Sequence, residues 1–280
     1  MMTIAALIKD GTEKLIAAGI DEPEVNCELI LAFVLNKTRT YVRAFSQDSI
    51  NEKQQTLFKN ILEEKLKGKP LAHIIGQAEF MGRVFKVNPN VLIPRPETEE
   101  LINESLKQFK DNLPSSILDL CTGSGCIAIS LAFLCQKAKI TATDISSSAL
   151  ETALTNAQNL QLDKKINFIK GNLFENIKTK FDFIISNPPY IPTEEIKTLS
   201  PEVLCEPLLA LDGGADGLDI IKKIAEEAPR YLNSKGLLAL EIGCEQASKV
   251  VKFFREDIWQ NPQVIKDFAG IERFIFVRKK

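Results

Sequence analysis

Hydrophobic positions in the first 77 residues recur at intervals of three and four, which is the spacing of one face of an α-helix. Stripes of this kind run over residues 4–16, 25–33, 38–45 and 50–66. Asp21 and Pro23 precede the second stripe as an N-cap and an early-turn proline, and Pro70 follows the fourth. The pattern predicts a small all-α domain over residues 1–77.

The periodicity changes after residue 78, where apolar and polar residues alternate on both sides of Gly82. Alternation predicts half-buried strands, and the glycine marks the turn between them. Asn88 and Pro89 then predict a second turn. We therefore predict a β-hairpin linker over residues 78–93, followed by the main domain over residues 94–280.

In the main domain, short apolar runs alternate with helical stretches. The runs of strand length are residues 117–120, 139–144, 166–170, 181–186, 237–242, 264–268 and 273–277. The first four are separated by helices or a loop, so right-handed crossovers would make them parallel and covered on both faces. The last two lack a helix-length connection and are expected to pair antiparallel at one edge. The predicted fold is a doubly wound α/β domain with a mostly parallel seven-stranded sheet.

Composition narrows the range of partners. The 280 residues are 45% hydrophobic and 26% charged, as in ordinary globular proteins. Lys and Arg number 35 against 37 Asp and Glu, and the first 80 residues carry 10 basic and 11 acidic side chains. Nucleic-acid affinity comes largely from basic side chains on phosphates, so we expect no direct nucleic-acid partner. We expect the domain of residues 1–77 to recognise a protein instead.

Targeting and metal-binding signals are not found in the sequence. No apolar run approaches ~18 residues, and the N-terminus lacks the features of a secretory signal. We therefore expect a cytoplasmic protein without a membrane partner. The six cysteines show no CxxC spacing, so we expect neither a disulfide framework nor a bound metal.

A glycine-rich turn, residues 122–125, joins the first strand to the following helix. Glycine lets the backbone approach a ligand, and a helix N-terminus presents N–H groups to an anion. Asp144 ends the second strand, where a carboxylate can accept hydrogen bonds from a ribose diol. These features predict a ligand with a ribose and an anionic end. The same turn satisfies a dinucleotide-binding pattern, so a dehydrogenase is one alternative.

Asn187, Pro188, Pro189 and Tyr190 follow directly on the apolar run of residues 181–186. Ligands in open α/β sheets bind beyond the carboxyl ends of strands, so this loop and the glycine-rich turn should face one crevice. The prolines make the loop rigid. We expect the Asn187 side-chain oxygen and the Pro188 carbonyl to accept the two hydrogens of a planar –NH2 group, while Tyr190 stacks on that group.

Together these segments resemble the class I S-adenosylmethionine-dependent methyltransferases, and within that class the peptide chain release factor glutamine N5-methyltransferases. The resemblance covers nearly the whole chain and rests on residues 91–99, 119–125, 187–191, 206–211 and 267–273. Two positions depart from the family pattern. Cys121 stands where glycine is usual, and Asn172 stands where an acidic residue is common.

The resemblance implies methyl transfer from S-adenosylmethionine to the amide nitrogen of a release factor glutamine, in translation termination. The residues assigned to the cofactor are Cys121, Thr122, Gly123, Ser124, Gly125, Asp144, Asn172, Leu173 and Asn187, with Asn172 and Leu173 lining the adenine. Asn187, Pro188 and Tyr190 are assigned to catalysis, and with Pro189 they are assigned to substrate binding.

Other readings of the sequence are kept as alternatives. The cysteine at position 121 is similar to the pattern of the ribosomal-protein glutamine methyltransferases, which are one alternative. A DNA or RNA adenine N6-methyltransferase needs the same loop of residues 187–190, called the acceptor loop below, although the balanced charge of the chain is unfavourable to that function. A non-enzymatic binding protein is the last alternative.

Two further segments lie outside these assignments. Residues 97–99 (Glu-Thr-Glu) are typical of an acidic first helical turn, and a contribution to the site is left open. The stretch of about 25 residues after Tyr190, which includes Glu206, is predicted to lack secondary structure and to form part of the active-site wall.

Overall fold

The structure is a computed structural model that describes residues 2–110 and 112–280. Over these residues the chain forms two compact units. Residues 2–77 with 200–205 make the first unit, and residues 78–199 with 206–280 make the second. The first unit holds the N-terminal helices, and the second holds the sheet.

The described part of the first unit contains five α-helices. They are α1 (Ile4–Ala17), α2 (Pro23–Leu35), α3 (Arg39–Ala44), α4 (Glu52–Leu66) and α5 (Leu71–Ile75). Thr3 caps α1 by accepting from the Ala6 N–H, and Asn51 with Gln54 forms a reciprocal capping box at α4. The first four helices confirm the predicted stripes, and their apolar faces share one core. The fifth begins after Pro70, where the sequence predicts only an end.

A two-stranded hairpin begins the second unit. Its strands are β1 (Gln77–Phe80) and β2 (Arg83–Lys86), as predicted. Met81 and Gly82 have φ of 50° and 67°, the left-handed conformation that tight hairpin turns require at both central residues. The Phe80 and Phe85 rings meet edge to face at 5.9 Å within the core of this unit.

Seven strands form the large sheet, counted over the described residues. They are β3 (Ser116–Leu120), β4 (Lys139–Asp144), β5 (Ile166–Lys170), β6 (Phe181–Ser186), β7 (Leu232–Glu241), β8 (Gln263–Lys266) and β9 (Glu272–Arg278). Their order is β5-β4-β3-β6-β7-β9-β8, with β9 antiparallel to both of its neighbours. The remaining pairs are parallel. The predicted mostly parallel sheet with an antiparallel edge is confirmed, although β7 begins at Leu232 rather than at Leu237.

Helices cover both faces of this sheet. They are α6 (Pro96–Lys107), α7 (Cys126–Leu134), α8 (Ser147–Asn159), α10 (Asp219–Tyr231) and α11 (Ala247–Val250), while the short helix α9 (Thr193–Ile196) lies in the loop after β6. Successive strand residues point to opposite faces, so Ile117 packs in the core that includes α7, whereas Leu118 packs in the core that includes α10. The predicted doubly wound arrangement is therefore present.

The stretch after Tyr190 is more ordered than the sequence predicts. Besides α9 it contains two single turns of 3-10 helix, Val203–Cys205 and Leu208–Ala210. The Ile191 N–H also donates to the Leu211 carbonyl at 3.0 Å. The prediction of a structureless loop is wrong, because bonds between distant backbone groups leave no periodic pattern in the sequence.

Candidate functional site

A cavity of about 210 Å³ lies where β3, β4, β5 and β6 end. The predicted site residues that line it are Cys121, Gly123, Asp144, Asn172, Leu173, Asn187 and Pro189. The remaining predicted residues are placed differently: Thr122, Ser124, Gly125 and Pro188 are buried, and Tyr190 is half-buried. The structure thus brings residues at the ends of four neighbouring strands, β3, β4, β5 and β6, together around one space.

The rest of the cavity wall combines apolar surface with a few charges. Its apolar side chains include Val91, Leu92, Ile145, Leu209 and Ile220, and its further charged ones are Asp212 and Lys223. The loop after Tyr190 supplies part of this wall, as the sequence predicts. An apolar space beside the Asp144 carboxylate suits a nucleoside, because the base packs on apolar side chains while hydroxyl groups donate to the carboxylate.

The glycine-rich turn is bonded mainly to the protein itself. The Thr122 N–H donates to the Thr143 carbonyl at 2.9 Å, and the Gly125 N–H donates to the Thr122 carbonyl at 2.8 Å. The Gly123 N–H donates to Asp144 Oδ2, also at 2.9 Å. The expectation that the turn offers its N–H groups to a ligand is therefore wrong for these three residues, because the fold already uses them.

Gly125 is required by packing. Its φ is 80°, which L side chains rarely adopt, and a Cβ placed on it would lie 3.0 Å from the Ala153 Cβ of α8. The glycine thus lets α8 approach the turn. Gly123 also has a positive φ, of 54°, but open space surrounds its missing side chain on the cavity wall.

The Asp119 side chain holds the glycine-rich turn in place through hydrogen bonds. Its Oδ2 accepts from Thr122 Oγ1 at 2.6 Å and from the Ala128 N–H at 3.1 Å. Burial raises the pKa of this carboxyl to about 7, although the two bonds act in the opposite direction. In the sequence Asp119 stands out only as part of the motif of residues 119–125, and the structure identifies it as the residue that fastens the turn to the start of α7.

Asp144 is oriented by backbone groups. Its Oδ2 accepts from Gly123, and its Oδ1 accepts from the Ser146 N–H at 2.9 Å. A carboxylate oxygen has two acceptor positions, so each oxygen retains one. Burial raises the pKa of Asp144, while the N–H groups of Ser146 and Gly123 lower it. The residue is a fixed acceptor on the cavity wall.

The Asn187 side chain is held by a residue of α6. Asn187 Nδ2 donates to Thr98 Oγ1 at 3.0 Å, and Thr98 Oγ1 donates to Glu241 Oε2 at 2.7 Å. Both Thr98 and Glu241 are buried. Because its NH2 group is bound to Thr98, Asn187 keeps its side-chain oxygen as an acceptor, in agreement with the orientation that the sequence predicts.

Tyr190 is fixed at both its hydroxyl and its backbone. The hydroxyl donates to Glu241 Oε1 at 3.4 Å, and the carbonyl accepts from Gln246 Nε2 at 2.8 Å. A Cβ on Gly217 would lie 2.2 Å from that carbonyl, so glycine is needed for this approach. Burial raises the pKa of the Tyr190 hydroxyl, and the Glu241 charge adds to the effect. The ring is therefore held in place, and its stacking on a substrate stays a prediction.

Glu241 is the site residue that sequence reasoning missed. Burial raises the pKa of its carboxyl to about 7, against the bond from Thr98 and the charge of Arg273, both of which lower it. A signal was present, since Glu241 is the charged residue within the apolar run of residues 237–242. A carboxyl at such a position needs hydrogen-bond partners, and here Thr98 and Tyr190 supply them.

Glu206 joins the loop after Tyr190 to the segment before α6. Its buried carboxylate accepts from the Ile93 N–H at 3.0 Å and pairs with Arg95. These two contacts hold the segment before α6, which carries the cavity residues Val91 and Leu92. The role left open for Glu206 in the sequence is thus structural support of the wall.

Over residues 2–110 and 112–280, no helix is both long and apolar enough to cross a membrane. The same residues contain no group of three or more His, Cys, Asp or Glu side chains arranged to hold a metal ion.

Comparisons with known proteins show which family the chain is similar to. Residues 101–207 match the family described as the methyltransferase small domain, and residues 6–76 match the PrmC N-terminal domain. The chain is 38% identical over 276 residues to a release factor glutamine methyltransferase of Caulobacter vibrioides, covering 98% of this chain and 96% of that protein. It is 36% identical over 282 residues to the release factor glutamine methyltransferase of Moorella thermoacetica, covering 100% of both.

A solved structure supports the fold. The crystal structure of a methyltransferase from Pyrococcus furiosus superposes with a TM-score of 0.55, covering 79% of this chain and 98% of that one. The two sequences are 21% identical. The likeness therefore concerns the class I methyltransferase fold.

Replacing Glu241 by Gln is expected to remove a pH dependence of stability. The carboxyl pKa rises from its ordinary 4.5 to about 7 on folding, so the folded state holds the proton more tightly than the unfolded state. The free energy of unfolding should fall as pH rises from 4.5 to 7, by at most about 1.4 kcal/mol per pH unit, and then level off.

Denaturant unfolding of both proteins at pH 5 and pH 8 measures this effect. The stability difference between them should shift by about 2.5 kcal/mol in favour of Glu241→Gln at the higher pH. Comparing the two proteins cancels the contribution of Asp119, whose pKa is raised in the same direction. A difference that does not change with pH would contradict a raised pKa at Glu241.

Proposed function

The chain belongs to the release factor glutamine methyltransferase family, and on that premise we propose that it methylates the side-chain amide nitrogen of a glutamine in a peptide chain release factor. The observation that carries the proposal is the orientation of Asn187, whose NH2 group is bound to Thr98 so that its oxygen can accept from the NH2 of a substrate. This acceptor stands on the wall of a cavity that suits a nucleoside.

S-adenosylmethionine fits the residues of this cavity. Asp144 would accept from the ribose hydroxyls with the acceptor positions that Gly123 and Ser146 leave open. Leu173 and Ile145 would pack on the adenine, and Asn172 would border it at the surface. When bound, this cofactor supplies an electrophilic methyl group, which is activated by the positively charged sulfur that carries it.

The chain's own contribution to the reaction is positioning. The lone pair of an amide nitrogen is delocalised, so a glutamine side chain is a weak nucleophile. Asn187 Oδ1 and the Pro188 carbonyl would each accept one of its two hydrogens and hold the nitrogen in line. Orientation of this kind saves ~7–11 kcal/mol in well-organised reactions. No base is needed before attack, because the proton leaves after the nitrogen has gained the methyl group.

We assign recognition of the release factor to the first unit, as the sequence suggests. Its basic and acidic side chains are nearly balanced, which favours a protein partner over a nucleic acid. Large apolar side chains are exposed on it, among them Ile16 and Leu57. Release factors act on ribosomes, so we place the reaction in the cytoplasm.

Transfer of labelled methyl from S-adenosylmethionine to a purified release factor tests the proposal, and Asn187→Ala tests the role of the acceptor. Wild-type protein should add one methyl group to a glutamine, found by mass spectrometry. The variant should lose at least tenfold in single-turnover rate, because nothing orients the amide, while its affinity for S-adenosylmethionine changes little. A variant rate within threefold of wild type, ~0.65 kcal/mol, would contradict this role.

The same assay separates the alternatives. A ribosomal protein and adenine-containing DNA are incubated in parallel with the release factor. Label on either of these, with none on the release factor, would overturn the proposed substrate while leaving the methyltransferase reaction intact.

Asp144→Ala is expected to weaken S-adenosylmethionine binding by tenfold or more. The change removes a charged acceptor for two hydroxyls, each bond being worth roughly 1.5–3 kcal/mol at most. Isothermal calorimetry measures the affinity, with the exposed Asp257→Ala as a matched control that should bind normally. Unchanged affinity in a folded Asp144→Ala protein would show that the ribose is bound elsewhere.

A double variant, Ile16→Ser with Leu57→Ser, tests recognition by the first unit. We expect its KM for folded release factor to rise at least about fivefold, since apolar contacts at an interface are lost, with no change for a short glutamine peptide. Leu154→Ser, an exposed leucine of α8, is the control. Equal KM values for all three proteins would exclude these two side chains as contacts.

A further inference from the structure

Glu241, Thr98 and Asn187 form a chain of hydrogen bonds that leads from the buried end of β7 to the cavity wall. The two links measure 2.7 Å from Thr98 Oγ1 to Glu241 Oε2 and 3.0 Å from Asn187 Nδ2 to Thr98 Oγ1. Glu241 and Thr98 are 1% and 2% exposed. Water therefore has little access to these bonds, and their donors and acceptors must match one another.

The directions of the bonds follow from counting protons. An ionised carboxylate only accepts, so Thr98 must spend its single hydroxyl proton on Glu241. Toward Asn187, Thr98 can then only accept. Asn187 must turn its NH2 group to Thr98 and its oxygen away from it.

The other groups around Glu241 keep its carboxylate in place. Tyr190 from the acceptor loop donates to Oε1 at 3.4 Å. The charge of Arg273, from β9, favours the ionised carboxylate, and the charge of Glu97, from α6, opposes it. The carboxylate therefore has a donor on each oxygen and a cation nearby.

We propose that Glu241 is a positioning residue which, through Thr98, fixes Asn187 with its oxygen toward the substrate and thereby selects a glutamine amide over a glutamate carboxylate. The proposal rests on the proposed function. A glutamine NH2 donates to the Asn187 oxygen, whereas a glutamate carboxylate has no proton to give and meets only an acceptor. A flipped Asn187 would present its NH2 group and would favour the carboxylate.

The protonation state of Glu241 determines the direction of the hydrogen bonds that Thr98 makes. Burial places its pKa near 7. A protonated Glu241 can donate to Thr98, which frees the Thr98 proton for the Asn187 oxygen and permits the flipped amide. The selective arrangement is therefore present above pH 7 and is lost as pH falls through 7.

Three substitutions test the chain. Thr98→Val removes the hydroxyl at nearly constant volume, Thr98→Ser keeps it, and Glu241→Gln removes the titration. Ser105→Ala is the matched control, because Ser105 is a buried residue of the same helix whose hydroxyl donates to the helix carbonyl of Leu101 at 2.6 Å. For each protein we would measure S-adenosylmethionine affinity, methyl transfer from pH 5.5 to 9, and binding of release factor carrying either glutamine or glutamate at the methylated position.

Thr98→Val should lower kcat on release factor at least tenfold and reduce the preference for glutamine over glutamate in binding at least fivefold, with S-adenosylmethionine affinity unchanged. Thr98→Ser should recover most of both losses. Wild-type kcat should fall below pH 7, and Glu241→Gln should lack this limb. Ser105→Ala should behave as wild type.

The outcomes separate the two proposals. Wild-type protein that labels no release factor would overturn the proposed function and this assignment with it. Wild-type activity together with an unchanged kcat and glutamine preference in Thr98→Val would overturn the positioning role alone. An acid limb that persists unchanged in Glu241→Gln would overturn the role of the carboxylate.

Discussion

Parallel pairing between β3 and β6 is the constraint on which the site depends. Leu120 lies opposite Ser186 in the register, and Ser186 Oγ donates to the Leu120 carbonyl at 2.7 Å. Both strands end there, so the glycine-rich turn and Asn187 begin side by side. Pairing of β4 on the other side of β3 brings Asp144 to the same edge. Sheet topology therefore brings the glycine-rich turn, Asp144 and Asn187, which are distant in sequence, to one cavity.

A second layer of polar residues supports this edge, and it has an energetic cost. Asp119 and Glu241 are almost fully buried, and burial opposes the ionised form of each carboxyl. Their bonds offset part of that cost: Asp119 fastens the glycine-rich turn, while Glu241 binds Thr98 and Tyr190. Buried polar groups of this kind are stable only when partnered, and such partnership also restricts them to one geometry. Rigidity at the site is thus a consequence of the hydrogen bonds that these two carboxyl groups accept.

The glycine-rich turn of residues 122–125 shows that one sequence pattern can arise from ligand binding or from helix packing. The pattern suggested a cradle of N–H groups for an anion, yet the Thr122, Gly123 and Gly125 N–H groups are bonded within the protein. Gly125 is glycine because α8 comes within contact distance of it. Gly123, by contrast, borders the cavity. Glycine is required where the backbone approaches a ligand and also where a helix approaches a turn. The sequence alone therefore does not distinguish the two cases.

The sequence by itself determined the first four helices of the first unit, a mostly parallel doubly wound sheet, and the placement of the glycine-rich turn and the Asn187 loop at one crevice. These follow from local periodicity and from the rule that parallel strands end together. Only the tertiary structure decided that Thr98 and Glu241 orient Asn187, that Glu206 supports the cavity wall, and that residues 200–205 belong with the first unit. Each of these depends on contacts between residues far apart in the chain, and such contacts impose no period on the residues that make them.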